Sequence, residues 1–266
     1  KTLFPYTTLF RSIYTVSIDL FGLYGGMPSL RSVENPENDL SSELISADGK
    51  LLGRYARYNR VQVAYEDLSP DLINTLIISE DHRYHDHSGM DFWAFIRVAK
   101  GLITFNPEGG GSTITQQLSK MLFHERAQGS VARIRQKTQE WIISAKLERQ
   151  YTKNEIIAMY LNRFDWINQA VGINSAARVY FNTSPDSLKV EEAAMLVGML
   201  KNPALFNPNR ASRLDTVMHR RMVVMDQMRR NGYLTTQQYD SLKALPLGLK
   251  FQRVDHTEGP APYFRE

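Results

Sequence analysis

Cysteine is wholly absent from the 266 residues, so disulfides, thiolate metal sites and cysteine nucleophiles are excluded together. No run of about 18 uncharged apolar residues occurs, so no complete membrane span lies within the chain. Ser-x-x-Lys, Ser-Asp-Asn and Lys-Thr-Gly are missing too, and with them the serine acyl-transfer chemistry they carry. Internal repeats and low-complexity tracts are also lacking. Charge of one sign is scarce, since 32 Lys and Arg against 28 Asp and Glu leave a net +4. So small an excess bears on solubility, and any anionic partner must be read from local clusters. What is plentiful is apolar material, 42% of the chain, with 11% aromatic. That suffices for one large core or two modest ones and is too much for a disordered chain.

Both ends read as extensions of a central domain. Lys1–Ser12 resembles translated adaptor sequence and is set aside as a non-native remnant. Residues 13–29, apolar and aromatic up to Gly25-Gly26, suit the end of a truncated transmembrane helix; a buried amphipathic helix is the alternative. Residues 30–65 read as a linker and a β-hairpin, because Glu43–Ser46 and Leu51–Tyr55 flank Asp48-Gly49. Residues 66–245 form the main domain. Residues 246–266, proline-punctuated towards Glu266, read as a linker to an absent C-terminal domain.

The main domain is expected to be nearly all α. Ser69-Pro70 opens a helix over Leu72–Ser79, with an N-cap residue followed by proline at the first helical position. Further helices are expected over Phe92–Phe105, from Ser112 through Met121, and over Ile134–Arg149. Thr152 and Glu155 stand at capping-box spacing before Ile156, Ile157, Tyr160 and Leu161. Two more helices fall near Val190–Leu200 and Arg210–Met228, and a last one opens at Thr235.

Several residues are placed for chemistry. Glu80-Asp81 ends an apolar helix, and a carboxylate at the margin of a hydrophobic wall is a stronger base than one in water. An exposed acidic helix end is the bland alternative. His82, His85 and His87 invite a metal reading, but no third ligand at a familiar spacing completes a site, and a hydrogen-bonding His87 is preferred. Gly109–Gly111 leave backbone amides at a helix N-terminus, an anion-binding arrangement that is not a Walker loop. Ser112, Thr113, Gln116 and Gln117 can donate to phosphate or sugar oxygens, while Lys120, Arg133, Arg135 and Lys137 supply cations. Arg133, Lys137 and Glu140 share one helical face, which in isolation would read as a solvated, salt-bridged surface.

Four stretches, taken in order, carry a resemblance: Ser79–Gly89, Gly110–Lys120 with its Gly-Ser-Thr-Ile-Thr-Gln-Gln string, Arg133–Glu140, and Lys153–Asn162. Together they resemble the motifs of family 51 peptidoglycan glycosyltransferases, which occur in class A penicillin-binding proteins and in monofunctional relatives. The resemblance implies a lysozyme-like, mainly α fold and polymerisation of lipid II into β-1,4-linked glycan by inverting transfer from a lipid-pyrophosphate donor. It makes Glu80 the base and Glu140 the second catalytic carboxylate. Asp81, His87, Ser112, Thr113, Gln116, Gln117, Lys120, Arg133, Arg135 and Lys137 become substrate-binding residues. Its implied partners are lipid II, the growing lipid-linked glycan, the membrane and a cell-wall synthesis complex, with no nucleic acid. It places the enzyme at the bacterial cytoplasmic membrane with the catalytic domain on the outer face. No cofactor is certain, and a divalent cation, Mg or Mn, is the one to test. Phe92–Phe105, apolar almost all round, is assigned to the membrane interface rather than to the core. Three departures stand out: Tyr84 replaces a usual Phe, Gln136 replaces a usual basic residue, and residues 163–171 lose an aromatic-glycine pattern. A muramidase-like hydrolase and an inactive glycan-binding scaffold are the competing functions.

Overall fold

The computed structural model describes residues 42–48, 51–55, 62–93, 96, 111–123 and 129–252. The expected adaptor remnant, the membrane helix end and residues 253–266 lie outside them, as does most of Phe92–Phe105. Among the described residues the fold is mainly α, with one two-stranded antiparallel sheet. That sheet is the expected hairpin: β1 (Ser42–Ile45) pairs with β2 (Leu51–Tyr55), Glu43 opposite Arg54, with an irregularity between Leu44 and Ile45. The described residues divide into two compact units, one within 83–156 and the other within 42–82 and 157–252.

In the second unit α1 (Pro70–Glu80) begins at the predicted Ser69-Pro70 signal. Ser69 holds the N-cap position without capping, because its hydroxyl donates to Leu188 O at 2.8 Å. The middle of this unit is α6 (Val190–Leu200), whose residues from Ala193 to Leu200 are all buried, as an all-round apolar helix must be. It packs against α1 and α7 (Leu214–Arg230). The expected helix from Arg210 begins instead with a short 3₁₀ turn, Ala211–Arg213. The final helix, α8 (Thr236–Lys243), has the predicted box: Thr235 Oγ1 accepts from Gln238 N, and Gln238 Oε1 from Thr235 N. The segment after it stays tied to this unit. Buried Arg221 donates to the carbonyls of Leu245 and Pro246, and the amides of Lys250 and Gln252 donate to Tyr180 and Val179.

One helix escapes the sequence reading, α5 (Ile173–Phe181). All but one of its residues are buried, and although Asn174, Ser175 and Arg178 share one side, the helix is only nine residues long and opens at Gly172 with no side-chain cap. It ends at Asn182 in the left-handed conformation, which asparagine tolerates. The divergent loop before α5 carries three successive left-handed residues, Ile167, Asn168 and Gln169. Side chains fix it: Trp166 Nε1 donates to Leu196 O at 3.0 Å and the Tyr180 hydroxyl to Trp166 O at 2.6 Å. Asn168 adds donations to Tyr180 Oη and Asn207 Oδ1, both 2.9 Å.

In the first unit α2 (Ile114–Phe123) packs on α3 (Ser130–Gln150), which starts four residues ahead of the expected Ile134. The box at Thr152 is present, with Thr152 N donating to Glu155 Oε2 at 2.7 Å and Glu155 N to Thr152 Oγ1 at 3.3 Å. It opens α4 (Lys153–Arg163), whose first turn belongs to this unit. Among the described residues no helix is long and apolar enough to cross a membrane.

Candidate active site

Glu80 is the last residue of α1, beyond the buried Leu72, Ile73, Leu76 and Ile77. The apolar run thus sets a half-buried carboxylate at the edge of the core, as its sequence position requires. Asp81 caps the helix by donating its backbone N–H to Ile77 O at 2.9 Å and is itself buried. Two groups of the second unit feel the charge of Glu80. The fully enclosed Tyr160 hydroxyl is pushed well above the usual phenol range, first by burial and then by the nearby carboxylate. Burial lowers the Arg220 guanidinium, and Glu80 draws it part of the way back. Arg220 is held by Gly198 O at 3.3 Å and lies over the Phe206 ring at 5.8 Å. Neither Tyr160 nor Arg220 was marked as a site residue by the sequence. Only their packing brings them near the carboxylate's field.

The other candidate residues stand in the first unit. Glu140, on α3, is only 5% exposed. Its two oxygens are taken by neighbours on the same helix, Oε1 by Gln136 Nε2 at 3.0 Å and Oε2 by Lys137 Nζ at 3.1 Å. Lys137 also donates to Ser112 Oγ at 2.9 Å, which ties the end of the glycine run to α3. Gln136, where a basic residue was expected, therefore supplies a neutral donor to the buried carboxylate. Arg133, Arg135 and Lys120 are exposed.

Thr113 and Gln116 are buried and turned inward: Thr113 Oγ1 donates to Gly89 O at 2.8 Å and Gln116 Nε2 to the same oxygen at 3.3 Å. Thr113 Oγ1 also accepts from Gln116 N at 3.2 Å, which caps the first turn of α2. Gln117 is only partly enclosed. Gly89 has φ +86, and a Cβ there would meet the carbonyl C and O of Ser144 at 2.9 Å, so glycine is required twice over. His87 is half-buried, edge-on to the Tyr84 ring with centroids 6.2 Å apart, while His82 and His85 are exposed. Among the described residues no three His, Asp or Glu side chains group as a metal site. The enclosed carboxylates of this unit, Asp91, Glu140 and Glu148, are each paired with a cation, a donor set that does not suit a protein-held metal ion. Phe92, Trp93 and Ile96 are helical and exposed, at 52%, 66% and 40%.

Comparison with known proteins bears on this arrangement. The chain is 30% identical over 252 residues to penicillin-binding protein 1A of Escherichia coli, covering 93% of this chain and 29% of that protein. To penicillin-binding protein 1A of Aquifex aeolicus it is 32% identical over 234 residues, covering 87% and 31%. The chain thus spans less than a third of the length of these curated relatives. A crystal structure of penicillin-binding protein 1A from Haemophilus influenzae aligns with 80% of this chain and 22% of its own, at TM-score 0.45 and 22% identity. The sequence model of the family described as Transglycosylase matches residues 48–229, most of the chain and all four motif stretches. The chain belongs to the transglycosylase family, the peptidoglycan glycosyltransferases that its motifs resemble.

Proposed function

We propose that this chain polymerises lipid II into β-1,4-linked glycan, the activity expected of a transglycosylase domain. Glu80 takes the proton of the acceptor's GlcNAc 4-hydroxyl, and that oxygen attacks C1 of the lipid-linked MurNAc. The C1–O bond to pyrophosphate breaks with inversion, and the electron pair leaves on the phosphate. Lys120, Lys137, Arg133 and Arg135 offset the charge that develops there, the electrostatic part of the work. Ser112 and Gln117 bind donor oxygens, Thr113 and Gln116 shape the turn that presents them, and Glu140 sets the Lys137 ammonium. Asp81 and His87 complete the proposed set of substrate-binding residues.

One observation supports this reading above the rest: Glu140 is buried and fully engaged by Lys137 and Gln136, whereas a solvated charge face would leave it in water. The cations also argue against a muramidase-like hydrolase, because cleavage of a neutral glycan needs no pyrophosphate clamp. Exposed Phe92, Trp93 and Ile96 support seating at the bacterial cytoplasmic membrane, catalytic domain outward, since tryptophan favours the headgroup level. A divalent cation, Mg or Mn, is proposed only as a counter-ion of the donor's pyrophosphate, to be checked by turnover in chelator. A cell-wall synthesis complex is the proposed assembly.

The test is labelled lipid II run beside preformed glycan. Chain growth supports the transferase, glycan shortening the hydrolase, and binding without turnover the scaffold. Glu80→Gln keeps the shape of the side chain and removes its basicity, so turnover should fall about 10²–10⁴-fold. Wild-type turnover in the folded variant would reject the assigned base.

A further inference from the structure

Glu148 and Lys153 have no part in the chemistry above, yet the ends of four segments of the first unit converge on them. The Lys153 ammonium lies 2.8 Å from both carboxylate oxygens of Glu148 and donates to His87 O at 2.7 Å. It also sits 4.3 Å from the centroid of the Tyr84 ring, so all its donors face protein. Tyr84 answers with its hydroxyl, which donates to Lys153 O at 2.8 Å. On the far side Glu148 Oε1 accepts from Thr115 Oγ1 at 2.6 Å, within the first turn of α2. Glu148 Cγ also flanks the position a Cβ of residue 89 would occupy, 3.2 Å away. The pair is enclosed, its side chains 22% and 5% exposed.

An enclosed ion pair adds little net stability over apolar residues of like volume, because desolvation offsets attraction. What it adds is direction. Each hydrogen bond fixes one segment against another, and none of the partners is a neighbour in sequence to both residues of the pair.

We propose that Lys153 and Glu148 are positioning residues for glycosyl transfer. They lock the His87–Gly89 turn to the Thr113–Gln117 turn, so that groups binding the lipid-pyrophosphate donor keep one geometry through the reaction. Tyr84 is part of the lock, its hydroxyl gripping the Lys153 carbonyl. This rests on the transferase reading above. Neither Lys153 nor Glu148 touches substrate; each acts through the His87 carbonyl and the start of α2.

The experiment compares the parent chain with Lys153→Met, Lys153→Arg and Tyr84→Phe, measuring lipid II kcat and KM, melting temperature and amide exchange. Misplacing reacting groups by about an ångström costs on the order of 10²-fold in rate. Folded Lys153→Met should therefore lose roughly 10–100-fold in kcat with less than about a threefold change in KM. Lys153→Arg, which can still donate to Glu148 and to His87 O, should recover most of that loss. Parent-like kcat in folded Lys153→Met overturns the proposal. Should Lys153→Met not fold, Tyr84→Phe takes its place: losing one neutral hydrogen bond should lower kcat about 2–5-fold, and an unchanged kcat overturns the proposal. Parent turnover and its loss in Glu80→Gln, run alongside, test the transferase reading itself. Amide exchange tests the lock without any turnover. In Lys153→Met residues 84–91 and 112–119 should exchange faster together, and a rise confined to 84–91 overturns the lock.

Discussion

Gly89→Ala puts the local physics of the site to a direct test. Two costs act at this position. The backbone is left-handed at φ +86, which an L side chain tolerates at a penalty of about 1–2 kcal/mol. The added Cβ would also lie 2.9 Å from both the carbonyl carbon and oxygen of Ser144, backbone atoms in the middle of α3 that cannot rotate away. Forcing a methyl into such a contact costs roughly 1–3 kcal/mol more. The sum, about 2–5 kcal/mol, should lower the melting temperature by roughly 5–15 °C for a chain of this size. Gly232 supplies the control, because it too is left-handed at φ +78 but has nothing within 4 Å of its would-be Cβ. Gly232→Ala should show the backbone penalty alone, and the difference between the two variants isolates the clash. Thermal melts followed by circular dichroism measure both. Equal losses in the two variants would refute the claim that α3 packs directly on the motif turn. Because Gly89 O accepts from Thr113 and Gln116, lipid II turnover should fall further than the stability loss alone explains.

Four further variants each test one local feature. Lys137→Met leaves buried Glu140 with only its Gln136 partner, so it should cost about 1–2 kcal/mol in urea denaturation, the partial exposure of Lys137 moderating the loss, and lower kcat about 10–100-fold. Glu140→Gln should be less costly to stability but comparably slow; near-normal turnover in both variants would remove this helix face from the site. Ser119 Oγ is fully buried with no hydrogen-bond partner among the described residues, so Ser119→Ala should raise stability by about 1 kcal/mol, and a loss on chemical denaturation would contradict that. Ile167 is β-branched at φ 55, whereas asparagine tolerates that conformation, so Ile167→Asn should gain about 0.5–1 kcal/mol; a lower melting temperature would count against strain at this turn.

Helix boundaries were most legible where a local signal exists. Ser69-Pro70, Thr152 with Glu155, and Thr235 with Gln238 each mark a helix start, because capping chemistry needs only residues three or four apart. The hairpin at Asp48 is local in the same sense. α5 was missed for the opposite reason. It opens at Gly172 without a side-chain cap, and its polar side (Asn174, Ser175 and Arg178) recurs over only nine residues, too short a run for the period to stand out. Ser69 shows a finer limit: it holds the N-cap position, yet its hydroxyl is drawn away by Leu188, 119 residues distant.

The motif residues divide along the same line. Chemistry-bearing types at fixed spacing were visible as a string, but the string does not separate residues facing outward from those facing the core. Thr113 and Gln116 spend their polar groups on Gly89, whereas Gln117 and Lys120 retain exposure, and only packing sorts them. The departures behave likewise. Tyr84 in place of phenylalanine adds a hydroxyl that must find a partner when buried, and the partner is a backbone carbonyl 69 residues on. Gln136 in place of a cation removes a charge from the helix face, and the structure shows that the amide is spent on Glu140. An Arg at 136 would bring a second full charge to a carboxylate that already holds Lys137. The neutral donor leaves Lys137 as the one ammonium bonded to Glu140 among the described contacts, with Ser112 as its other partner. On the proposed function, donor charge is met chiefly by that ammonium and by the exposed Lys120, Arg133 and Arg135. The exposed group is screened by salt more fully than half-buried Lys137, so raising ionic strength should weaken donor binding more than it lowers kcat at saturation; a larger fall in kcat than in binding would refute this.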